Sequence, residues 1–311
     1  MATPSKSVTL PARPRSRLLR QEAIDGYLCV LPWLLGFLFF TAGPMLVSFG
    51  LAFTEYDITS APTFTGLENF LKMFTRDPLF WKSLGNTAYY TFVFIPLHLA
   101  TALLAALALN VKLRGISFFR TVWYVPSIVP SVANAFLWMW IYHPDYGLAN
   151  NLLGLLRLPP SKWLFDEESA MNSLILMSLW GLGSAMIIFL AELQQVPEAL
   201  YEAAAIDGAG KVARFRHVTV PMITPVIFFN MVVGIIGSFQ VFTTAYIATQ
   251  GGPNNATLFY VLYLYNQGWQ FLRMGYASAM AWVLLAIVMA FTLVQWSVAR
   301  RWVYYEAETR G

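Results

Sequence analysis

The stretch EAAAIDGAGKVARFRHVTVPMITP, Glu202–Pro225, is a polar interruption in an apolar chain. Glu202 and Asp207 stand among alanines, and Lys211, Arg214, Arg216 and His217 crowd together before Pro221 and Pro225. The runs on either side, Asn172–Ala191 and Met222–Ala248, contain no Asp, Glu, Lys or Arg. As helices, both are long enough to cross a hydrocarbon core of about 30 Å, which takes about 20 residues. A charged stretch between two such runs belongs at a membrane face, and its own pattern indicates what it meets there.

Four more uncharged apolar runs of spanning length follow the same rule: Tyr27–Phe53, Thr87–Leu109, Thr121–Ile141 and Tyr276–Val298. Across 311 residues the chain is 58% hydrophobic and 12% charged, with a mean hydropathy of +0.56. That composition lies outside the range of soluble globular domains. The expected fold is all-α, a polytopic bundle of six transmembrane helices. The first and fifth runs are long enough to need tilt or a break, and Gly36, Gly43-Pro44 and Pro225 are the expected places.

The basic residues set the orientation. Lys6, Arg13, Arg15, Arg17 and Arg20 precede the first run; Lys112, Arg114 and Arg120 lie between the second and third; Lys211, Arg214 and Arg216 lie in the opening stretch; Arg300, Arg301 and Arg310 follow the last. The opposite loops share only Lys72, Arg76, Lys82, Arg157, Lys162 and Arg273. The positive-inside rule therefore puts both termini and the opening stretch in the cytoplasm. The net charge of +4 reflects this topology, and no nucleic-acid partner is implied. The divisions expected are a cytoplasmic basic tail (1–25), a first span with an outer amphipathic loop (26–85), a five-helix core (86–300) with the polar stretch at 196–220, and a C-terminal tail (301–311). The N-terminal run is too long for a signal peptide and lacks a small-residue cleavage pattern, so it reads as a retained span.

In the outer loops, Leu67, Phe70, Leu71 and Phe74 recur at helical spacing, and Pro78 ends one short piece and opens another. Leu258–Phe271 is apolar and aromatic but too short to span, and reads as an interfacial helix introduced by the turn QGGPNN.

Little in the chain suggests chemistry of its own. His98, His143 and His217 are scattered without metal-ligand spacing, and the single cysteine, Cys29, allows no internal disulfide. GAGKV is not a phosphate loop, because Val212 follows Lys211 and Ala205 stands where the first glycine belongs. The spans carry no Asp, Glu, Lys or Arg for ion coupling, so the energy for any transport has to come from elsewhere.

Within the opening stretch, VPEALYEAAAIDGAG reads as a short helix that starts after Pro197 and ends at Gly208, with Leu200, Ala203, Ala204 and Asp207 on one face. The alanines let another surface approach the backbone closely. Val212, Phe215 and Val218 then mark a second amphipathic piece, and Pro221 opens the fifth span. The pattern E-A-A-x3-G-x9-[I/V]-x-[L/V]-P is met at Glu202, Ala203, Ala204, Gly208, Val218, Val220 and Pro221, with valine where isoleucine and leucine are usual. It resembles the EAA signature of permease subunits of ATP-binding-cassette importers. GLENF, DPLFWKSLGNT, FFRTVWYVPSIVP, WIYHPDYGLANNLL, IGSFQVF, GGPNNAT and MGYASAMAW, in that order relative to the motif, are similar to the carbohydrate branch of that family, the maltose- and glycerol-phosphate-transporter type.

The resemblance implies a type I importer permease fold and a bacterial inner-membrane location. It also implies a helix pair that docks on a cytoplasmic ATPase through Glu202, Ala203, Ala204, Asp207 and Gly208. The partners implied are a second homologous permease, two ATPase subunits that hold ATP and magnesium, and an extracytoplasmic sugar-binding protein. No cofactor is implied on this chain, which hydrolyses nothing itself.

Counting from the motif places the family's substrate contacts at Trp180, Gly181 and Ser184, which would share one helical face, and at Gly234, Gly237, Ser238 and Val241, which would share another. The aromatic and amide side chains of a maltose-type site are Gly237, Ser238 and Val241 here, so the pose differs. Asn134, with Trp138 one turn on, and Gln240 are further candidates. Close helix packing also selects Gly and Ser at such spacing, so both roles are open at 234, 237 and 238. The implied cargo is a sugar or polyol. Without Arg or Lys in the spans, a neutral mono- or oligosaccharide suits better than a phosphate ester. The alternative reading is a self-sufficient channel or facilitator, for which the polar stretch has no purpose.

Overall fold

The computed structural model describes residues 17–304, so Lys6, Arg13, Arg15 and Arg310 of the expected basic termini lie outside the described residues. Helix α1 (Arg17–Phe37) begins inside the segment assigned to the tail and passes straight through Gly36. A π turn, Leu38–Ala42, joins it to α2 (Gly43–Leu51). The expected break at Gly43-Pro44 is thus one widened turn: the Gly43 N–H reaches the Leu38 carbonyl, and a β-carbon at 43 would lie 2.9 Å from that oxygen. Together the two helices make the first span, and none of the side chains from Arg20 to Leu51 is buried.

Strands β1 (Thr54–Glu55) and β2 (Thr63–Phe64) then pair antiparallel, with Thr54 opposite Phe64. The Asn69 amide ties them to α3 (Glu68–Thr75) by donating to the Ala52 and Thr54 carbonyls at 3.0 and 2.9 Å. Helix α4 (Pro78–Leu109) starts well before the expected Thr87. The Asp77 carboxylate caps it by accepting the N–H groups of Leu79 and Phe80, and Pro78 occupies the first turn, where its missing N–H costs nothing.

The third and fourth spans are not straight. Helices α5 (Ile116–Ile128) and α6 (Ser131–Ile141) meet at 100°. Pro130 disfavours helical backbone at Val129, which is extended at φ −69°, ψ 129°. After α7 (Leu148–Leu155), helices α8 (Glu167–Leu179) and α9 (Gly183–Leu193) meet at 47° across Trp180-Gly181-Leu182. Helix α10 (Glu198–Ile206) follows, and then α11 (Lys211–Arg214) runs through a π segment (Phe215–Thr219) into α12 (Val220–Phe239). The second amphipathic piece is therefore the foot of the fifth span, continuous from Lys211 to Phe239.

Pro225 does not break that span. It lacks the N–H that would reach the Pro221 carbonyl, and the Thr224 hydroxyl donates there instead at 2.7 Å. The break falls later, at Gln240–Phe242, before α13 (Thr243–Ala248). Helices α14 (Tyr260–Tyr265) and α15 (Met274–Ala299) complete the chain. Four spans are unbroken, and counting each bent pair as one gives six. The all-α expectation holds, with one two-stranded ribbon in the described residues.

Helix α4 is the central post. Ala102, Ala105 and Ala106 let α9 and α12 close on it, forming a cluster with Met186, Phe189, Leu193 and Ile223. That cluster gathers the C-terminal ends of α4 and α9 and the start of α12, so the basic segments 110–115 and 196–220 lie at one end of the bundle. At the other end Phe80, Tyr90, Leu174, Phe259, Tyr260 and Met280 pack together. Here α14 corrects the expected interfacial helix. Tyr260 is fully buried, its N–H bonds Thr87 Oγ1 at 2.9 Å and its phenol donates to the Met280 carbonyl at 2.8 Å. The segment plugs the bundle end, packed on α4 and α15, because its apolar and aromatic side chains lose more water-accessible surface there than at an interface.

Candidate functional site: the α10 joint and the α6–α8 corner

Helix α10 ends in a glycine-based cap. Asp207 closes it, Gly208 turns left-handed at φ +77°, the Ala209 N–H bonds the Ala204 carbonyl at 2.9 Å, and the Gly208 N–H bonds the Ala205 carbonyl at 3.1 Å. Glycine is needed there because a β-carbon at that φ is strained. The turn leads the chain from α10 into α11. A hydrogen bond between Tyr201 Oη and Thr219 Oγ1, 2.9 Å, ties α10 back.

Of the five expected coupling residues, Glu202, Ala203, Asp207 and Gly208 are exposed and Ala204 is half-buried. Around them Leu200, Ile206 and Val212 are 41%, 87% and 80% exposed. No described residue of α10 or α11 is buried. The joint presents an exposed apolar and acidic surface.

The substrate candidates divide into two groups. Trp180, Gly181 and Ser184 do not share a helical face, because the 47° bend separates Ser184 from the other two. The bend turns Trp180 toward α6: its ring lies 5.9 Å from that of Trp138, edge to face. Trp138 Nε1 and, one turn earlier, Asn134 Oδ1 are both buried without a partner. A donor and an acceptor left open beside an aromatic face suit a polyhydroxylated ligand. Ser184 is exposed and Gly181 half-buried.

On α12, two of the candidates turn inward. A β-carbon at Gly234 would lie 2.9 Å from Ile95 Cδ1, and the Ser238 hydroxyl is buried and bonded to Thr91 Oγ1 and the Ile235 carbonyl, each at 2.9 Å. Both serve the seam between α12 and α4. Gly237 and Gln240 are exposed, with open space around Gly237, while Val241 packs into the core.

Two features escaped the sequence reading. Gly183, beside the bend, is pressed against α5: a β-carbon there would lie 2.6 Å from the Trp123 carbonyl oxygen and 2.7 Å from Tyr124 Cα. The paired Gly181 and Gly183 were the available signal. The other is the C-terminal segment, where the Tyr304 N–H bonds Thr224 Oγ1 at 3.0 Å, and nothing local in the sequence announces it. The described residues contain no cluster of His, Cys, Asp or Glu able to hold a metal ion.

Residues 98–304 match the family described as binding-protein-dependent transport system inner membrane component. A Bacillus subtilis protein described as a probable ABC transporter permease protein, YesP, is 44% identical over 96% of this chain and 97% of its own length. The trehalose/maltose transport system permease protein MalF of Thermococcus litoralis is 34% identical over 92% of this chain and 97% of its own. The lactose transport system permease protein LacF of Rhizobium radiobacter is likewise 34% identical over 92% and 97%. A chain in the crystal structure of a bacterial alginate ABC transporter, in complex with a pentasaccharide-bound periplasmic protein, superposes with a TM-score of 0.80 at 24% identity, over 92% of this chain and 98% of that one. With the fold, the exposed joint and these matches in agreement, the chain belongs to the binding-protein-dependent transport system inner membrane components, the membrane-spanning permease subunits of ABC importers.

Proposed function

We propose that this subunit forms half of the translocation pathway of a sugar importer and that the α10 joint is where ATP-driven motion enters it. A second homologous permease supplies the other half, and two cytoplasmic ATPases, which hold the ATP and magnesium, grip Glu202, Ala203, Ala204, Asp207 and Gly208. An extracytoplasmic binding protein delivers a neutral mono- or oligosaccharide. Both termini are cytoplasmic. The observation that carries this reading is the uncovered joint: Leu200 and Ile206 are exposed on α10, outside the spans, and Val212 on the foot of the fifth span, with the left-handed Gly208 between them. The names of the sugar-transporting relatives support the cargo class. Within this chain, Asn134, Trp138 and Trp180 are the groups best arranged to meet a sugar, with Gly181, Ser184, Gly237 and Gln240 as neighbours in the pathway. Gly234, Ser238 and Val241 shape it from behind.

The test is purification of the tagged chain from its native membrane, with Gly208→Asp and Glu202→Lys beside the unaltered protein. The unaltered chain should bring an ATPase and a second permease with it. Both variants should insert but lose the ATPase or leave transport uncoupled from it. Transport that persists in the purified chain with no ATPase present would establish the facilitator reading instead.

A further inference from the structure

The last described residues fold back onto the foot of α12. Beyond α15 the chain turns through Arg301 and Trp302, and the Tyr304 N–H donates to Thr224 Oγ1 at 3.0 Å. The same hydroxyl donates its one proton to the Pro221 carbonyl at 2.7 Å, filling the place of the N–H that Pro225 lacks. One turn further along α12, the Phe228 ring sits edge-on between Trp302 and Trp296, with 6.3 Å between centroids in each pair. Tyr304 also lines a mostly apolar cleft with Leu200 of α10 and with His217, Val218, Pro221 and Met222. The tail thus binds the base of the fifth span and faces the coupling helix and the π segment across one cleft.

We infer that Trp302–Tyr304 is a strap that transmits displacement of α10 to α15 as well as to α12. Without it, α10 reaches α9 through residues 194–197 and α12 through Gly208 and the Tyr201–Thr219 hydrogen bond, and has no link of its own to α15 among the described residues. With it, the foot of α12 and the end of α15 are bound as one body, through a hydroxyl that already bridges the proline defect in α12. The two spans then move together when the joint is pushed. Thr224 and Tyr304 are positioning residues in this arrangement, and neither is asked to touch solute.

This inference rests on the reading of α10 as the coupling helix. The test uses the complete transporter in vesicles and measures solute transported per ATP hydrolysed, with retention of the ATPase on purification as a second readout. Thr224→Val removes the acceptor, Thr224→Ser keeps it, and a chain ending at Val303 removes the donor. The expected result is that Thr224→Val and the shortened chain keep the ATPase but transport at least threefold less per ATP, while Thr224→Ser matches the unaltered protein. The strap is overturned if both keep the normal ratio, or if only Thr224→Val lowers it, which would make the bridge to Pro221 the whole effect. Gly208→Asp in the same assay separates the two ideas. If it disrupts coupling while the strap variants do not, only the strap fails. If it changes nothing, the coupling helix is misassigned.

Discussion

Gly183 and Gly237 are both glycines in apolar helices, yet their surroundings are opposite. A methyl group at 183 would collide with backbone atoms of Trp123 and Tyr124, which cannot rotate away, whereas a methyl group at 237 meets nothing within 4 Å. Overpacking a tight site costs about 1–3 kcal/mol. Gly183→Ala should therefore lower the thermal stability of the detergent-purified chain clearly, and Gly237→Ala should leave it unchanged, as read in paired melting curves. Trp138 offers a sharper probe of solute contact. Its Nε1 is buried without a partner, so Trp138→Phe keeps an aromatic ring beside Trp180 while removing the donor together with the smaller ring that carries it. A neutral hydrogen bond contributes about 0.5–1.5 kcal/mol. If a sugar hydroxyl accepts from Nε1, the variant should need roughly two- to tenfold more solute for half-maximal transport at normal expression. Equal transport at all concentrations would remove Trp138 from the site. Residue identity alone could not sort such positions. Ser238 and Gly237 are adjacent in sequence, but one bonds Thr91 in the seam and the other faces open space.

At the scale of elements, what was legible followed from local backbone chemistry. The exit of α10 at Gly208 could be read because few other residues tolerate the left-handed turn, and the start of α4 could be read in part because Pro78 follows an acid able to cap it. The bends were not read, although their causes are visible. Pro130 disfavours helix at Val129, but no charged residue interrupts the apolar run from 121 to 141, so a 100° corner reads as one straight span. Pro225 misleads in the other direction. Its missing hydrogen bond is replaced by Thr224, one residue away, and the helix continues. Proline marks a backbone defect, and whether the helix breaks depends on what repairs it. The plug at α14 escaped for a third reason. An apolar run too short to span can be interfacial or buried, and the choice was made by Thr87 and the Met280 carbonyl, which are distant in sequence.

At the scale of the whole molecule, the sequence argues orientation from its basic loops, and the packing gathers two of those loops at one end. The ends of α4 and α9 and the start of α12 converge in one cluster, and Arg120 donates to the Leu109 carbonyl at 3.0 Å, so Lys112, Arg114, Lys211, Arg214 and Arg216 share one end of the bundle. The other end is fastened differently. Lys82 donates to the Asn254 carbonyl at 2.7 Å, and the Asn254 amide donates in turn to Glu167, closing the α4 and α8 starts over the QGGPNN turn. An end rich in Lys and Arg resists translocation, and the end that carries fewer of them crosses. Asp57, in the ribbon loop, should therefore face outward and Asp207 inward. Cys29 is the only cysteine, so a Cys29→Ser chain gives a clean background in which Asp57→Cys and Asp207→Cys can be labelled one at a time. A maleimide that cannot cross membranes should label the cysteine at 57 in intact spheroplasts and the one at 207 only after permeabilisation. The reverse pattern would place α10 on the side away from any ATPase. The coupling assignment would then fall with the topology, because the joint at Gly208 has a mechanical role only where ATP-driven motion can reach it.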